Sequence, residues 1–188
     1  MNAILYVDRT SHPRALPAAR IPALAKASTH SFAHWQHDGI FTQLTSLLRR
    51  SARIAEGHTP DPSACVIDAQ TIKTSANVPA TGQGYDPGKK IAGRKRSIVI
   101  DTLAPATRRP GHYRRPVRCR RDPASKGFIV PPRRWAAERT LGWLMLHRRL
   151  ARDYEARPDR SEAMIHIAMI DVISRRLTGE ATPTWRGT

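Results

Sequence analysis

The chain has 188 residues and carries 32 Lys and Arg against 15 Asp and Glu, a formal net charge of +17. That length allows one domain, or one domain with a small appendage, and an apolar content of 40% supplies a core. So large a charge opposes compaction unless a polyanion neutralises it, which makes nucleic acid the default partner. Cys65 and Cys119 lack a CxxC spacing. This argues against a disulfide scaffold and a thiolate zinc site, and it suits reduced thiols in a cytosolic compartment. No apolar run approaches the roughly 18 residues of a membrane span. The N-terminal "MNAILYVDRTSHPRALPAAR" contains Arg and few acids but lacks a signal peptide's cleavage pattern.

Residues 1–7 are apolar and fit one helical turn or a strand. Residues 8–31 lose periodicity, with Pro13, Pro17 and Pro22 removing backbone donors. Order returns at Phe32. Phe32 and Trp35 stand three apart, and Ile40, Leu44, Leu47 and Leu48 share one helical face. Asp38 suits an N-cap and Gly57 a stop, so two short helices are expected with a turn at Asp38 and Gly39. His34 and His37, at i and i+3, could ligate a metal, but without further ligands they read as surface histidines.

Asp61, Pro62 and Ser63 break the chain. "ACVIDAQTIKT" then reads as a strand and residues 76–90 as a loop with Gly82, Gly84, Pro87 and Gly88. "RKRSIVIDTL" is a second strand, antiparallel to the first because no helical sequence joins them. In residues 104–124 Arg dominates and Pro105, Pro110, Pro116 and Pro123 recur. No strand or helix of normal length fits there, and the composition is that of a disordered basic tract. Phe128 to Val130 form a short strand. A helix follows from Arg133 or Arg134 through "WAAERTLGWLMLHRRLARDYE", with Ala137, Leu141, Leu144 and Met145 at helical spacing. Pro158 ends that region. Asp159 and Glu162 make an aspartate capping box for a last helix, "SEAMIHIAMIDVISRRL". That helix is apolar on most sides and is expected to be buried. Arg175 and Arg176 complement its dipole, and Gly179 suits its C-cap.

Asp68 on a strand, a cationic loop, Asp101 on a second strand and a helix bearing "RRWAAER" form an ordered constellation. Two-metal phosphodiester chemistry needs carboxylates converging from separate elements. Two Mg²⁺ ions about 4 Å apart repel by on the order of 17 kcal/mol at an effective dielectric of 20, and anionic oxygens must offset this. On that reading Asp68 and Glu138 are catalytic metal ligands. Lys73, Lys89, Lys90, Arg94, Lys95, Arg96, Arg133 and Arg134 hold the DNA backbone. Plainer readings stand beside it: Asp68 as a hydrogen-bonded strand residue, Glu138 as the ion-pair partner of Arg134 four residues earlier, the cations as a solvated face.

"VIDAQTIKT", "GYDPGKKIAGRKRSIVIDTL" and "RRWAAERTLGWL" with "RRLARDYE" resemble insertion-sequence transposases of the DDE type. The nearest group is the one named for insertion sequence five, with the catalytic domain of the insertion-sequence-four superfamily. "MNAILYV" and "FAHWQHDGIFTQL" resemble its small N-terminal region. The matching blocks cover about 1–7, 32–103 and 127–177. The resemblance implies a ribonuclease H-like α/β fold and DNA cutting and strand transfer at transposon ends with Mg²⁺. Asp68 matches the first catalytic acid, Glu138 the last, and Arg134 the Arg that precedes the acid. The signature Tyr and Lys would fall at Pro131 and Met145, where this sequence departs.

The resemblance fails in the middle. The family's second acid ends a later central strand, and a strand–helix–strand unit needs roughly 30 residues. Between Leu103 and Gly127 there is too little chain. Asp101 is not the second acid by position, and Asp122 lies in the disordered tract. The pattern also lapses after Val7. Both lapses read as frame changes or deletions in a decayed copy. The expectation is therefore an α/β chain with a truncated ribonuclease H-like core. Residues 1–60 would be a degraded helical, DNA-binding-like region. Residues 64–177 would be the truncated catalytic domain, with the basic insert at 104–124, and 178–188 a tail. By resemblance it is a transposase, inactive here for want of the second acid, with impaired Mg²⁺ binding. Its partners would be DNA, as transposon ends and target, and a homo-oligomer or a full-length relative; its location would be cytoplasmic and nucleoid-associated, with no membrane. The competing class is a non-enzymatic basic nucleic-acid-binding protein, and a third outcome is a chain that does not fold.

Overall fold

The structure is a computed structural model that describes residues 30–101, 105–106, 116–117 and 134–180. Among the described residues it is mixed α/β, with four helices and an antiparallel sheet of three strands extended by two short strand pieces. The expected strand at 128–130, Cys119, Asp122, Arg133 and the expectations for 1–29 lie outside the described residues.

Helix α1, residues 30–37, and helix α2, Ile40–Ala55, meet at the expected turn. Gly39 makes it, at φ 69°, and is itself the N-cap. Asp38 is therefore not the cap; its carboxylate turns to His37 (3.2 Å) and His34 (3.4 Å) on the surface. The buried face of α2 also differs from the expected one. Phe41, Thr45, Arg49, Ala52 and Arg53 are buried, whereas Leu47 is 61% exposed. Leu44 and Leu48 pack only partly. The helix is rolled so that two arginines reach the sheet. It stops as expected at Gly57, whose φ of 74° ends the helical path.

Strands β1 (Cys65–Lys73) and β3 (Ile91–Asp101) pair antiparallel, as the sequence implied, with Asp68 opposite Ile98 and Cys65 opposite Asp101. The loop between them holds an additional strand, β2 (Gly84–Asp86), on the other side of β3. The hydroxyls of Thr71 and Thr74 donate to Asp86 and Gln83, which tie this hairpin to β1. Gly93 is where β3 crosses close to β1, because a Cβ there would overlap the carbonyl oxygen of Ile72. The tract at 104–124 contributes only β4 (Pro105–Ala106), antiparallel to β3, and β5 (Pro116–Val117), parallel to β1, among the described residues. The strand order is β2-β3-β1-β5, with β4 off this path beside β3.

Helix α3 spans Arg134–Met145 and ends well short of the expected Glu155. A 3-10 turn at Arg148–Leu150 follows, and the chain then runs to the end of β1. There the Asp153 N–H donates to the Lys73 carbonyl (2.9 Å) and the Ser75 N–H to the Asp153 carbonyl (2.8 Å). The Asp153 carboxylate accepts from Arg94 (3.2 Å) and Ser161 (3.0 Å). Tertiary pairing to β1 outweighs the helical propensity of "HRRLARDYE".

Helix α4, Pro158–Thr178, begins with Pro at the first turn and Arg157 as N-cap, with no side-chain cap. The expected capping box does not form. Asp159 lies inside the first turn and accepts from Arg157 (2.6 Å) and Gln36 (2.7 Å), while Glu162 is exposed. The burial expected for this helix holds: every residue from 163 to 173 is buried. Ile167, Met169 and Ile173 pack with Phe41, Leu144 and Leu150 in the main core. Each such side chain contributes about 1.5–3 kcal/mol on leaving water. Gly179, at φ 72°, ends the helix where the sequence placed its cap.

Candidate acidic site and its basic surround

Side chains alternate between the two faces of a strand, so the register assigns each acid to a face. Val66, Ile98 and Ile100 meet Ala137 and Leu141 of α3 in a small core. Asp68 lies two residues beyond Val66 and opposite Ile98, so it shares this helix-covered face. It is half-buried, and among the described residues it has no hydrogen-bond or ion-pair partner. Glu138 follows Ala137, which is completely buried in that core, and is itself exposed. The fold thus brings Asp68 and the helix that carries Glu138 to one side of the sheet.

Asp101 belongs to the opposite face and is 1% exposed. Nη1 of Arg53 donates to both of its oxygens at 2.7 Å, and Nη1 of Arg49 stands 3.9 Å away. Arg53 Nε is taken by the Thr59 carbonyl at 2.6 Å. Asp101 is therefore a structural anchor between sheet and α2. The sequence reading missed Arg49 and Arg53. A signal existed: they stand at i and i+4 on a helix with no acid of its own. Beside Asp101, burial pushes the Cys65 thiol up, and the carboxylate adds to that shift.

The candidate cations divide between solvent and interior. Lys73, Lys89, Lys90 and Lys95 are exposed. Lys89 and Lys90 form the β2–β3 turn, where the Lys89 N–H donates to Asp86 at 3.1 Å and Lys90 takes a φ of 54°. The Thr71 hydroxyl and then this N–H hold the Asp86 carboxyl below its ordinary range. Arg94 is turned inward: Nε donates to Gly82 (2.7 Å), Nη1 to Glu155 (2.6 Å) and Nη2 to Ala156 (2.8 Å), all backbone carbonyls. Arg96 is 6% exposed and donates to the Leu150 carbonyl at 3.0 Å. Arg134 opens α3.

Magnesium would require several oxygens converging from separate elements. Among the described residues no group of three or more His, Cys, Asp and Glu could hold a metal. Asp68 and Glu138 alone do not fit a two-ion site, and Asp101 is committed to arginine on the far face. His34 and His37 are exposed beside Asp38, without a further ligand among the described residues. Among the described residues no helix is long and apolar enough to cross a membrane. No protein family, no curated protein and no solved structure matches the chain.

Proposed function

We propose that this chain is a DNA-binding derivative of a DDE transposase whose metal site is incomplete. The observation that carries the reading is Asp68, a half-buried carboxylate without a partner among the described residues, on an inner strand facing the helix that bears Glu138. The strand order supports a ribonuclease H-like ancestry: three antiparallel strands, with a parallel piece beside the first. Among the described residues that piece has two, where the resemblance calls for a full strand ending in an acid. Two carboxylates without that third cannot offset two magnesium charges, and a misplaced nucleophile alone costs about a hundredfold in rate.

DNA affinity in this reading comes from Lys73, Lys89, Lys90 and Lys95, which offer mobile charge to phosphates and read no bases. Register puts Lys73 and Lys95 on the face away from Asp68. This favours the second reading, a nucleic-acid-binding protein whose acids are no longer used. The two are separated by equilibrium binding to duplex DNA across a salt series, with nicking of supercoiled plasmid scored in parallel. We expect binding that weakens steeply with salt. When these lysines become Gln, the slope should fall by roughly 0.9 for each phosphate that is no longer neutralised. The acid-independent reading gains if Asp68→Ala with Glu138→Ala changes nothing. Salt-insensitive binding, or none, would sink both.

A further inference from the structure

Helix α3 has a second flank, turned away from the sheet. Trp135, Arg139 and Trp143 stand at i, i+4 and i+8 and form a ladder along it. The Arg139 guanidinium lies 4.5 Å from the centre of the Trp135 ring and 4.8 Å from that of Trp143. Two aromatic faces fix its plane, yet among the described residues it has no carboxylate and no hydrogen-bond acceptor. Its neighbours make an anion more welcome still. A cavity of about 320 Å³ between α3 and the C-terminal end of α4 is lined by Arg139, Arg175, Arg176, Trp143 and Glu180. Three guanidinium groups and one carboxylate line it, with Asp171 and Glu56 set against Arg175 and Arg176 from outside the lining.

The lining charges are not equally engaged. Arg175 is 3.3 Å from Asp171 and 3.4 Å from Glu180, and Arg176 is 2.9 Å from Glu56. Among the described residues, Arg139 alone of the three is held only by rings, and burial together with the Arg176 charge lowers its pKa. A planar guanidinium with a free fork of donors is built for a phosphate or a carboxylate. The indole decides between them. Trp135 is 53% exposed, so its surface beside the cation is open to a flat partner. A carboxylate on a peptide brings no such plane; a nucleotide brings phosphate and base together.

We propose that this cavity and the Trp135 ring beside it bind an unpaired strand of nucleic acid, with a backbone phosphate on Arg139 and a base stacked on Trp135. The chain's charge of +17 suits that polyanion. The site extends the proposed DNA binding from duplex to single strands, and it lies on the flank of α3 away from Asp68.

The test is fluorescence titration of the full chain with oligothymidylate, beside Trp135→Leu, Trp135→Phe and Arg139→Gln. Thermal melting checks that each variant folds like the parent. Oligothymidylate should quench the parent's indole emission. Trp135→Leu should weaken its binding roughly 5- to 150-fold, the range for one stacked base, and Trp135→Phe should recover most of it. Arg139→Gln should weaken binding and lower the salt slope by about one phosphate's worth. Duplex affinity should be unchanged in all three. Equal oligothymidylate affinity in parent and Trp135→Leu would overturn the proposal, as would equal quenching by heparin or polyglutamate, which have no bases. Absence of duplex binding, with the single-strand result intact, would sink the lysine reading and leave this one standing.

Discussion

Asp101 and Asp68 lie on paired strands of one sheet, yet their surroundings are opposite. Asp101 is sealed under α2 and held by Arg53 through both oxygens, with Arg49 nearby. Asp68 is half-buried on the sheet face that α3 covers and has no partner among the described residues. One acid is committed to the fold, and the other has no partner among the described residues. Position in an apolar strand run does not distinguish them; the face does, and the face is set by register.

The comparison breaks most sharply at Asp101. Replacing it with Ala leaves Arg53 buried without its counter-ion, which should destabilise the chain by about 3–5 kcal/mol in urea melts. A loss as small as that of a surface substitution would mean that the pair is not an anchor. Next in size is the pH response of His166, buried between α4 and α2 with Thr45 at 3.1 Å. Burial lowers its pKa from 6.5 to about 4, so the fold keeps it neutral. The stability this confers is present above about pH 6.5 and is lost as pH falls toward 4, up to about 3 kcal/mol. His166→Gln should flatten that part of the stability–pH curve; an unchanged curve would place the acid response elsewhere.

Gly93→Ala tests the register itself. The added methyl must push β3 from the Ile72 carbonyl, and we expect a loss of about 1–3 kcal/mol with weakened β1–β3 protection in hydrogen exchange. The smallest effect belongs to Asp68→Asn. Removing a charge that has no partner among the described residues should change stability by less than about 1 kcal/mol, in either direction. A loss as large as that for Asp101 would make Asp68 structural too.

Much of the framework is legible in the sequence because local signals agree with the final packing. The Asp38–Gly39 turn, the apolar run of α4 and its Gly179 end, and the antiparallel β1–β3 pair all follow from pattern alone. The failures share one cause: a distant partner overrules a local preference. Spacing puts Leu47 inside, but Arg49 and Arg53 roll α2 toward Asp101. Composition carries a helix through Glu155, but Asp153 bridges Thr74 beside the end of β1. Asp159 resembles a cap, yet Arg157 and Gln36 claim its carboxylate. Of the candidate site, Asp68 and the helix of Glu138 reach one side of the sheet, whereas Arg94 and Arg96 turn into the fold. Their inward course depends on the alternation of β3 and on carbonyls some fifty to sixty residues away, which no local spacing reveals.

On the proposed reading, Asp68 and Glu138 do not make a metal centre without a third acid. Manganese titration followed by electron paramagnetic resonance tests it directly, comparing the parent chain with the double variant Asp68→Asn, Glu138→Gln. The account expects loose, millimolar association that is the same in both. Tight binding of two ions by the parent, abolished in the double variant, would contradict it.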